Sequence, residues 1–245
     1  MADYRFKTVV FLLVQLLSVE VMTGQNSYDL MAYVLQWKST FCKFNNNRPC
    51  KPGRGDIFSI HGLWPANAIG HSMKCLQPQG GGKDVDGVMQ KDPKLETALK
   101  AIWPDLLAAG NDRRFWKHEW TTHGFCSHQA LPIADYFNGA VRVHNKLIAI
   151  NNKNNLRDYL AEGGVRPSTA NNYTKQAIIT AVQRLVGANN NVYVACIKDP
   201  HTDDIYLKEI HLCLDTTLHN FVSCPTTNPD QRQCGKHTSK IRIPV

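Results

Sequence analysis

Beyond its first 24 residues the 245-residue chain has no long apolar run, and nowhere an internal repeat, a low-complexity tract or a domain-splitting linker. The first absence removes a membrane-spanning helix from the body of the chain. The others remove repeat arrays and argue for one domain. Acidic residues are the minority: 20 Asp and Glu stand against 28 Lys and Arg, leaving +8 with histidine neutral. Hydrophobic residues make up 43% and aromatics 9%, enough for a packed core, so disorder, collagen and coiled coil are excluded as the main character. A phosphate-cradling loop is also missing. Gly80-Gly81-Gly82 lacks wide glycine spacing, and Asp84 rather than Ser or Thr follows Lys83. It reads as part of an exposed loop over Gln77–Gly87.

The one long apolar run stands at the start. Arg5 and Lys7 precede Val9–Val19, and Thr23 and Gly24 follow. A charged start, an apolar centre too short to span a bilayer and small residues after it predict a secretory signal peptide over residues 1–24. Residues 25–245 then form the mature domain. Arg5 and Lys7 cancel Asp3 and Glu20, so the mature chain keeps the +8. Eight cysteines, an even and high count, fit an oxidising, extracellular setting. Asn172-Tyr173-Thr174 is the only glycan acceptor, on a predicted surface position. Arg54-Gly55-Asp56 reads as a turn rather than an adhesion signal.

Short strands are predicted at Val34–Trp37 and Phe58–Leu63. Asp92 followed by Pro93 predicts a helix start, with Leu95, Ala98, Leu99 and Ile102 at helical spacing. Helical patterns continue over Phe115–Cys126, Ile133–Ile150, Leu156–Leu160 and Lys175–Val186. Strand patterns return at Val192–Ile197, Ile205–Leu214 with strong alternation, and Ile241–Ile243. Helices in the middle with strands at both ends predict an α+β fold: a central antiparallel sheet flanked by helices in a single, disulfide-stapled domain.

Two segments carry chemistry. In Phe58-Ser59-Ile60-His61-Gly62-Leu63-Trp64-Pro65, strand alternation places Ser59, His61 and Leu63 on one face. In Phe115-Trp116-Lys117-His118-Glu119-Trp120-Thr121-Thr122-His123, Glu119 and His123 are four apart on a predicted helix, hence neighbours on one face and able to hydrogen-bond. A zinc-protease helix needs its two histidines four apart. His118 and His123 are five apart, about 140° round the helix, and cannot chelate one ion. Cys75 and Cys126 lie close in sequence to the strand and helix histidines. If they pair, His61 and His123 face each other across a cleft, although eight cysteines allow many other pairings. Two opposed histidines in a basic protein suggest metal-free phosphodiester chemistry, one removing a proton and the other donating one.

His61-Gly62-Leu63-Trp64-Pro65 and His118-Glu119-Trp120-x-x-His123-Gly124, roughly 55 residues apart, resemble the paired active-site segments of the ribonuclease T2 family. The resemblance runs from Tyr28-Asp29-Leu30 to the C-terminal cysteines. It implies an endoribonuclease cleaving single-stranded RNA through a 2′,3′-cyclic phosphate, without cofactor or metal. By that similarity His123 is the general base and His61 the general acid. Glu119 assists His123 and the transition state, and His118 holds the phosphate. Trp64 and Phe115 match base-stacking positions, and Gln36 a polar contact in the second base site. The implied disulfides are Cys42–Cys50, Cys75–Cys126, Cys196–Cys234 and Cys213–Cys224.

Basic charge and eight cysteines look most like the plant stylar S-ribonucleases of self-incompatibility, whose recognition surface corresponds to Ala66–Arg113. That implies RNA as substrate, a protein recognition partner through 66–113, no membrane association and a monomer. The alternatives are a defence or nutritional ribonuclease of the same family, and a secreted binding protein that has lost catalysis. Two positions depart from the family pattern: Thr122 stands where lysine is usual, and Ala66 where acidic relatives often carry a carboxylate.

Overall fold

The computed structural model describes residues 28–46, 48–53, 55–75, 84–149, 155–226 and 234–245. The expected signal peptide, Arg54 and residues 77–83 of the expected loop lie outside them. The chain begins with β1 (Leu30–Trp37), buried along its whole length, and the short α1 (Lys38–Lys43) follows. Next come β2 (Phe58–Ala66), α2 (Asp84–Lys91), α3 (Pro93–Ile102) and α4 (Asp112–Thr122). A 3₁₀ turn over Gly124–Ser127 leads to α5 (Ile133–Ala149) and α6 (Leu156–Glu162). The remainder is β3 (Asn172–Thr174), α7 (Lys175–Val186), β4 (Tyr193–Lys198), β5 (Ile205–Leu214), β6 (Phe221–Val222) and β7 (Lys240–Arg242). No described helix is long and apolar enough to cross a membrane.

The seven strands form one sheet with the path β2-β1-β5-β7-β3, and β4 and β6 also pair with β5. Among the described residues every pairing between these strands is antiparallel except a single parallel contact, Tyr206 with Arg242. This is the expected α+β architecture, stapled by the four expected disulfides: Cys42–Cys50, Cys75–Cys126, Cys196–Cys234 and Cys213–Cys224. Met31, Tyr33, Leu35 and Trp37 of β1 face the main core, with Trp116 and Trp120 of α4 and Tyr136 and Phe137 of α5. The alternate positions Leu30, Ala32, Val34 and Gln36 take the other face.

Helix starts are fixed by side-chain caps, which relieve otherwise unpaired backbone N–H groups. Asp92 accepts from the Leu95 amide at 3.0 Å, as its place before Pro93 predicts. Asn111 does the same for α4, accepting from the Arg114 amide at 3.0 Å. Thr174 caps α7, accepting from the Ala177 amide at 3.1 Å, and α7 spans the predicted Lys175–Val186.

Three local expectations are corrected. Residues 84–87, placed in a loop by their glycine neighbours, open α2; Gly87 sits where a side chain would meet open space. The helix predicted through Cys126 ends at Thr122. His123 has φ −126° and ψ −55°, outside the helical range, and closes the helix. In β2, Leu63 does not share a face with His61. Val34 pairs with Gly62 and Leu35 with Ile60, so His61 is the extra residue of a β-bulge. The bulge reverses the alternation, and Phe58, Ile60 and Leu63 all enter the main core. The elements α1, β3 and β6 are too short to show a period.

Candidate active site

The bulge determines where His61 points. Two cross-strand rows lie on the sheet face away from the main core. One reads Ser59–Gln36–Glu209–Ala195, the other Gly62–Val34–His211–Tyr193. His61 stands between these rows, bulged out of β2. Its carbonyl accepts from Trp103 Nε1 at 2.9 Å, and that of Leu63 from Tyr136 Oη at 2.8 Å. Such bonds satisfy backbone groups in an irregular strand and hold it rigid.

The imidazole of His61 bonds through Nδ1 to Glu209 Oε1 at 2.9 Å. A carboxylate only accepts, so Nδ1 carries the proton and Nε2 is the outward nitrogen. Burial alone pushes His61 down. The charge and hydrogen bond of Glu209, with the charge of Glu119, more than reverse this and leave His61 above the ordinary histidine value.

His123 is held differently. Its Nδ1 donates to the Met73 carbonyl at 2.9 Å, which again leaves Nε2 outward. Burial is the largest influence and pushes it down. The Met73 bond and Glu119 oppose this, the charges of His61 and His118 add to it, and His123 ends below the ordinary value. Met73 is delivered by its own anchors: its amide bonds to the Pro65 carbonyl at 2.8 Å, and the Cys75 amide to the Thr122 carbonyl at 2.9 Å. The Cys75–Cys126 bridge therefore ties the segment leaving β2 to the end of α4, as expected, and sets the acceptor that orients His123.

Glu119 is 2% exposed, and its oxygens are turned to Trp64 and His61 rather than to the His123 side chain, a bond their helical spacing would allow. Its Oε2 accepts from Trp64 Nε1 at 2.8 Å, and its Oε1 lies 4.0 Å from His61 Nε2. The link to His123 is backbone to backbone, from the His123 amide to the Glu119 carbonyl at 3.0 Å. Because His123 leaves helical geometry, its side chain no longer lies over Glu119.

The aromatic positions gather here too. Trp64 contacts both imidazoles, its ring centroid 5.0 Å from that of His61 and 4.8 Å from that of His123. Phe115 lies 6.2 Å from His61 at 22°, nearly parallel. Gln36 borders a groove shared with His61, Glu209, Lys208, Phe41, Phe44 and Arg48. His118 is exposed on α4, and its charge is felt at His123. Thr122 is half-buried at the helix end. Lys117, the nearest lysine in sequence, ion-pairs with Asp86 of α2.

Glu209 and His211 are the site residues that motif reading misses. The strong alternation expected over Ile205–Leu214 is corrected by a bulge at Lys208, and the signal for it is a change of parity: apolar residues fall at 205 and 207, then at 210, 212 and 214. That break marks an inserted residue and leaves Glu209 and His211 together on the other face. The same break separates Phe58 and Ile60 from Leu63. Met73 acts through its carbonyl and has no side-chain signal.

Two half-buried imidazoles, each fixed through Nδ1 and both packed on Trp64, lie together on a disulfide-stapled α+β sheet. The Ribonuclease T2 family model matches residues 28–224. Intracellular ribonuclease LX of Solanum lycopersicum is 30% identical over 96% of this chain and 92% of its own length. Ribonuclease S-2 of Pyrus pyrifolia is 26% identical over 90% and 92%. Among solved structures, ribonuclease MC1 from the seeds of bitter gourd superposes with a TM-score of 0.67 at 27% identity, covering 80% of this chain and 94% of its own. The chain belongs to the ribonuclease T2 family and is an endoribonuclease.

Proposed function

We propose that the protein cleaves single-stranded RNA by metal-free transphosphorylation, with His123 as general base and His61 as general acid. The observation that carries this reading is geometric: the rings of His61 and His123 lie 5.0 and 4.8 Å from that of Trp64. Each is tied through Nδ1, His61 to Glu209 and His123 to the Met73 carbonyl, and their surroundings displace His61 upward and His123 downward. Environments that drive two titratable groups apart assign the acid and the base. In the productive state His61 is protonated and His123 neutral, with both Nε2 atoms outward. His123 Nε2 takes the proton of a ribose 2′-OH, and the 2′-oxygen bonds to phosphorus. The bond from phosphorus to the 5′-oxygen breaks, and His61 Nε2 gives its proton to that oxygen. The products are a 2′,3′-cyclic phosphate and a free 5′-OH, and the two imidazoles have exchanged one charge. Only RNA offers the attacking hydroxyl, which excludes DNA.

Glu119, held by Trp64, sits beside His61 Nε2, where it responds to charge developing at the phosphorane. His118 is exposed where it can meet a phosphate, and Trp64, Phe115 and Gln36 receive the bases. A solved ribonuclease MC1 mutant in complex with 5′-GMP supports nucleotide binding by this fold. The +8 charge adds a salt-sensitive attraction to polyanions.

The biological reading is a secreted, glycosylated, monomeric self-incompatibility ribonuclease that meets its protein partner through residues 66–113. The leader-like N-terminus, the exposed Asn172, the basic charge and the similarity to the Pyrus ribonuclease support it. The catalytic reading is tested by dinucleotide cleavage with EDTA present. Wild type retains full activity, and His61→Ala and His123→Ala each lose about 10²–10⁴-fold in turnover. Near-normal turnover of either variant refutes the pair. Secretion and expression confined to the style test the biological reading; expression outside the style favours a defence or nutritional role.

A further inference from the structure

We propose that Glu209 is the positioning residue of the general acid: its buried carboxylate takes the Nδ1–H of His61 and so holds Nε2–H toward the leaving oxygen. This builds on the proposed roles of His61 and His123, and it identifies a part of the machinery that lies outside both histidine segments.

The first support is register. Ala195 pairs with Glu209 and Cys196 with Leu207, so Lys208 is the extra residue of a bulge in β5. Without it, Glu209 would share a face with Leu207 and enter the apolar core. With it, Lys208 turns out to solvent and Glu209 stands in the row beside Gln36. Two bulges, at His61 in β2 and at Lys208 in β5, thus bring the imidazole and the carboxylate together. Bulges re-aim side chains in this way at functional sites.

The second support is the wiring of the carboxylate itself. Glu209 is 4% exposed. Oε1 accepts from His61 Nδ1 at 2.9 Å and pairs with Lys208 Nζ at 3.3 Å, while Oε2 accepts from His211 Nε2 at 3.2 Å. A buried carboxylate with both oxygens bound is a fixed reference for the ring it holds. His211 is itself fenced by Tyr193, at 4.5 Å between ring centroids, and by Trp64, at 5.7 Å. His211 donates through Nε2 to this carboxylate, and burial holds it below the ordinary histidine value. Burial alone would raise Glu209, yet its two imidazole partners and Lys208 hold it well below the carboxylate range. The negative charge of Glu209 is therefore left to act on His61.

The other charged and titratable groups facing His61 are Glu119 and His123 from α4 and its end, and Lys208 and His211 from β5. Arg48 shares its groove. Among the described residues none of these bonds to Nδ1, which is held by Glu209. Once His61 has given up its Nε2 proton, the bond to Glu209 keeps the remaining proton on Nδ1. The ring stays in register with the leaving oxygen.

The test is the pH dependence of kcat and KM for a dinucleoside monophosphate, measured on wild type, Glu209→Gln and Glu209→Ala. Glutamine still accepts from Nδ1–H but carries no charge. The alkaline limb of kcat, set by loss of the His61 proton, is expected to move about one pH unit lower. On the alkaline side of that limb kcat is expected to fall about tenfold, with KM and the acid limb nearly unchanged. Glu209→Ala, which also frees the ring, loses about a further tenfold, and Glu209→Asp restores part of the alkaline limb. An unmoved alkaline limb in Glu209→Gln, or a rise in KM alone, overturns the proposal. Movement of the acid limb instead means that the acid and base assignments are reversed, a failure of the underlying reading. Nitrogen-resolved NMR titration of wild type keeps the question decidable if a variant does not fold. His61 is expected to retain an Nδ1 proton throughout and to titrate above free histidine; an Nδ1 lone pair at neutral pH overturns the proposal.

Discussion

Gly62→Ala places one methyl group at the most crowded point of the site. A Cβ on residue 62 would fall inside contact distance of Trp64 Nε1, 2.6 Å from Trp64 Cε2 and 2.5 Å from Glu119 Oε2. Carbon atoms in comfortable contact are about 3.5–4.0 Å apart, so the indole or the carboxylate must move by about 1 Å. Neither is the loose end of a flexible chain. Trp64 is packed between two imidazoles and bonded to Glu119, and Glu119 is buried. Overpacking of this kind costs about 1–3 kcal/mol. Breaking the Trp64–Glu119 bond, with its charged acceptor, costs about 1.5–3 kcal/mol more. A combined loss of about 2.5–6 kcal/mol lowers Tm by roughly 5–24 °C in a domain of this size. Displacing Glu119 from its place 4.0 Å from His61 lowers kcat by about 10²-fold, with a smaller effect on KM. Thermal melts and dinucleotide kinetics on Gly62→Ala, Trp64→Phe and the double variant form the assay. The smaller phenyl ring has no N–H to displace, so Gly62→Ala should cost at least about 1 kcal/mol less in the Trp64→Phe background. Wild-type melting and turnover in Gly62→Ala, or strict additivity, would refute the packing argument.

Thr122→Lys should raise turnover about tenfold with little change in KM, because a pentavalent phosphorane rewards a nearby cation more than the ground-state diester does. Lys117 cannot supply that charge while paired with Asp86, so unchanged kcat would mean that His118 already does. His118→Ala should raise KM several-fold and lower kcat less than His123→Ala does; equal losses of kcat would remove its assignment to the phosphate. Asp215 tests pH-dependent stability. Burial would raise it, but bonds from Thr217, His219 and Asn220 bring it down to about 2. Its contribution is present above the ordinary carboxylate value and is lost as pH falls through about 2. Asp215→Asn is therefore expected to cost about 1 kcal/mol at pH 7, discounted for partial exposure, with the gap closing toward pH 2 in chemical denaturation. A gap that stays constant with pH would refute the charge argument.

Most of what the sequence determined lies within single segments. Asp92-Pro93 and Thr174 set helix starts by bonding to amides three residues on, an interaction that needs no partner from elsewhere. His61-Gly62-Leu63-Trp64-Pro65 and the segment His118–His123 are legible because acid–base chemistry demands particular side chains at particular spacings. Tertiary structure decided how those segments meet. Strand alternation read locally put Leu63 beside His61, whereas pairing with β1 inserts a bulge and sends Leu63 to the core. Helical spacing paired Glu119 with His123, whereas the end of α4 at Thr122 gives Glu119 to Trp64 and His61. Glu209 reaches His61 from 148 residues away, through a register that exists only once β1 lies between β2 and β5. Met73 contributes a carbonyl that any residue would carry. Propensity, capping and catalytic residue type act over a few neighbours and are written in order along the chain. Register, bulge position and backbone acceptors are settled by contacts between strands, where sequence distance carries no information about proximity.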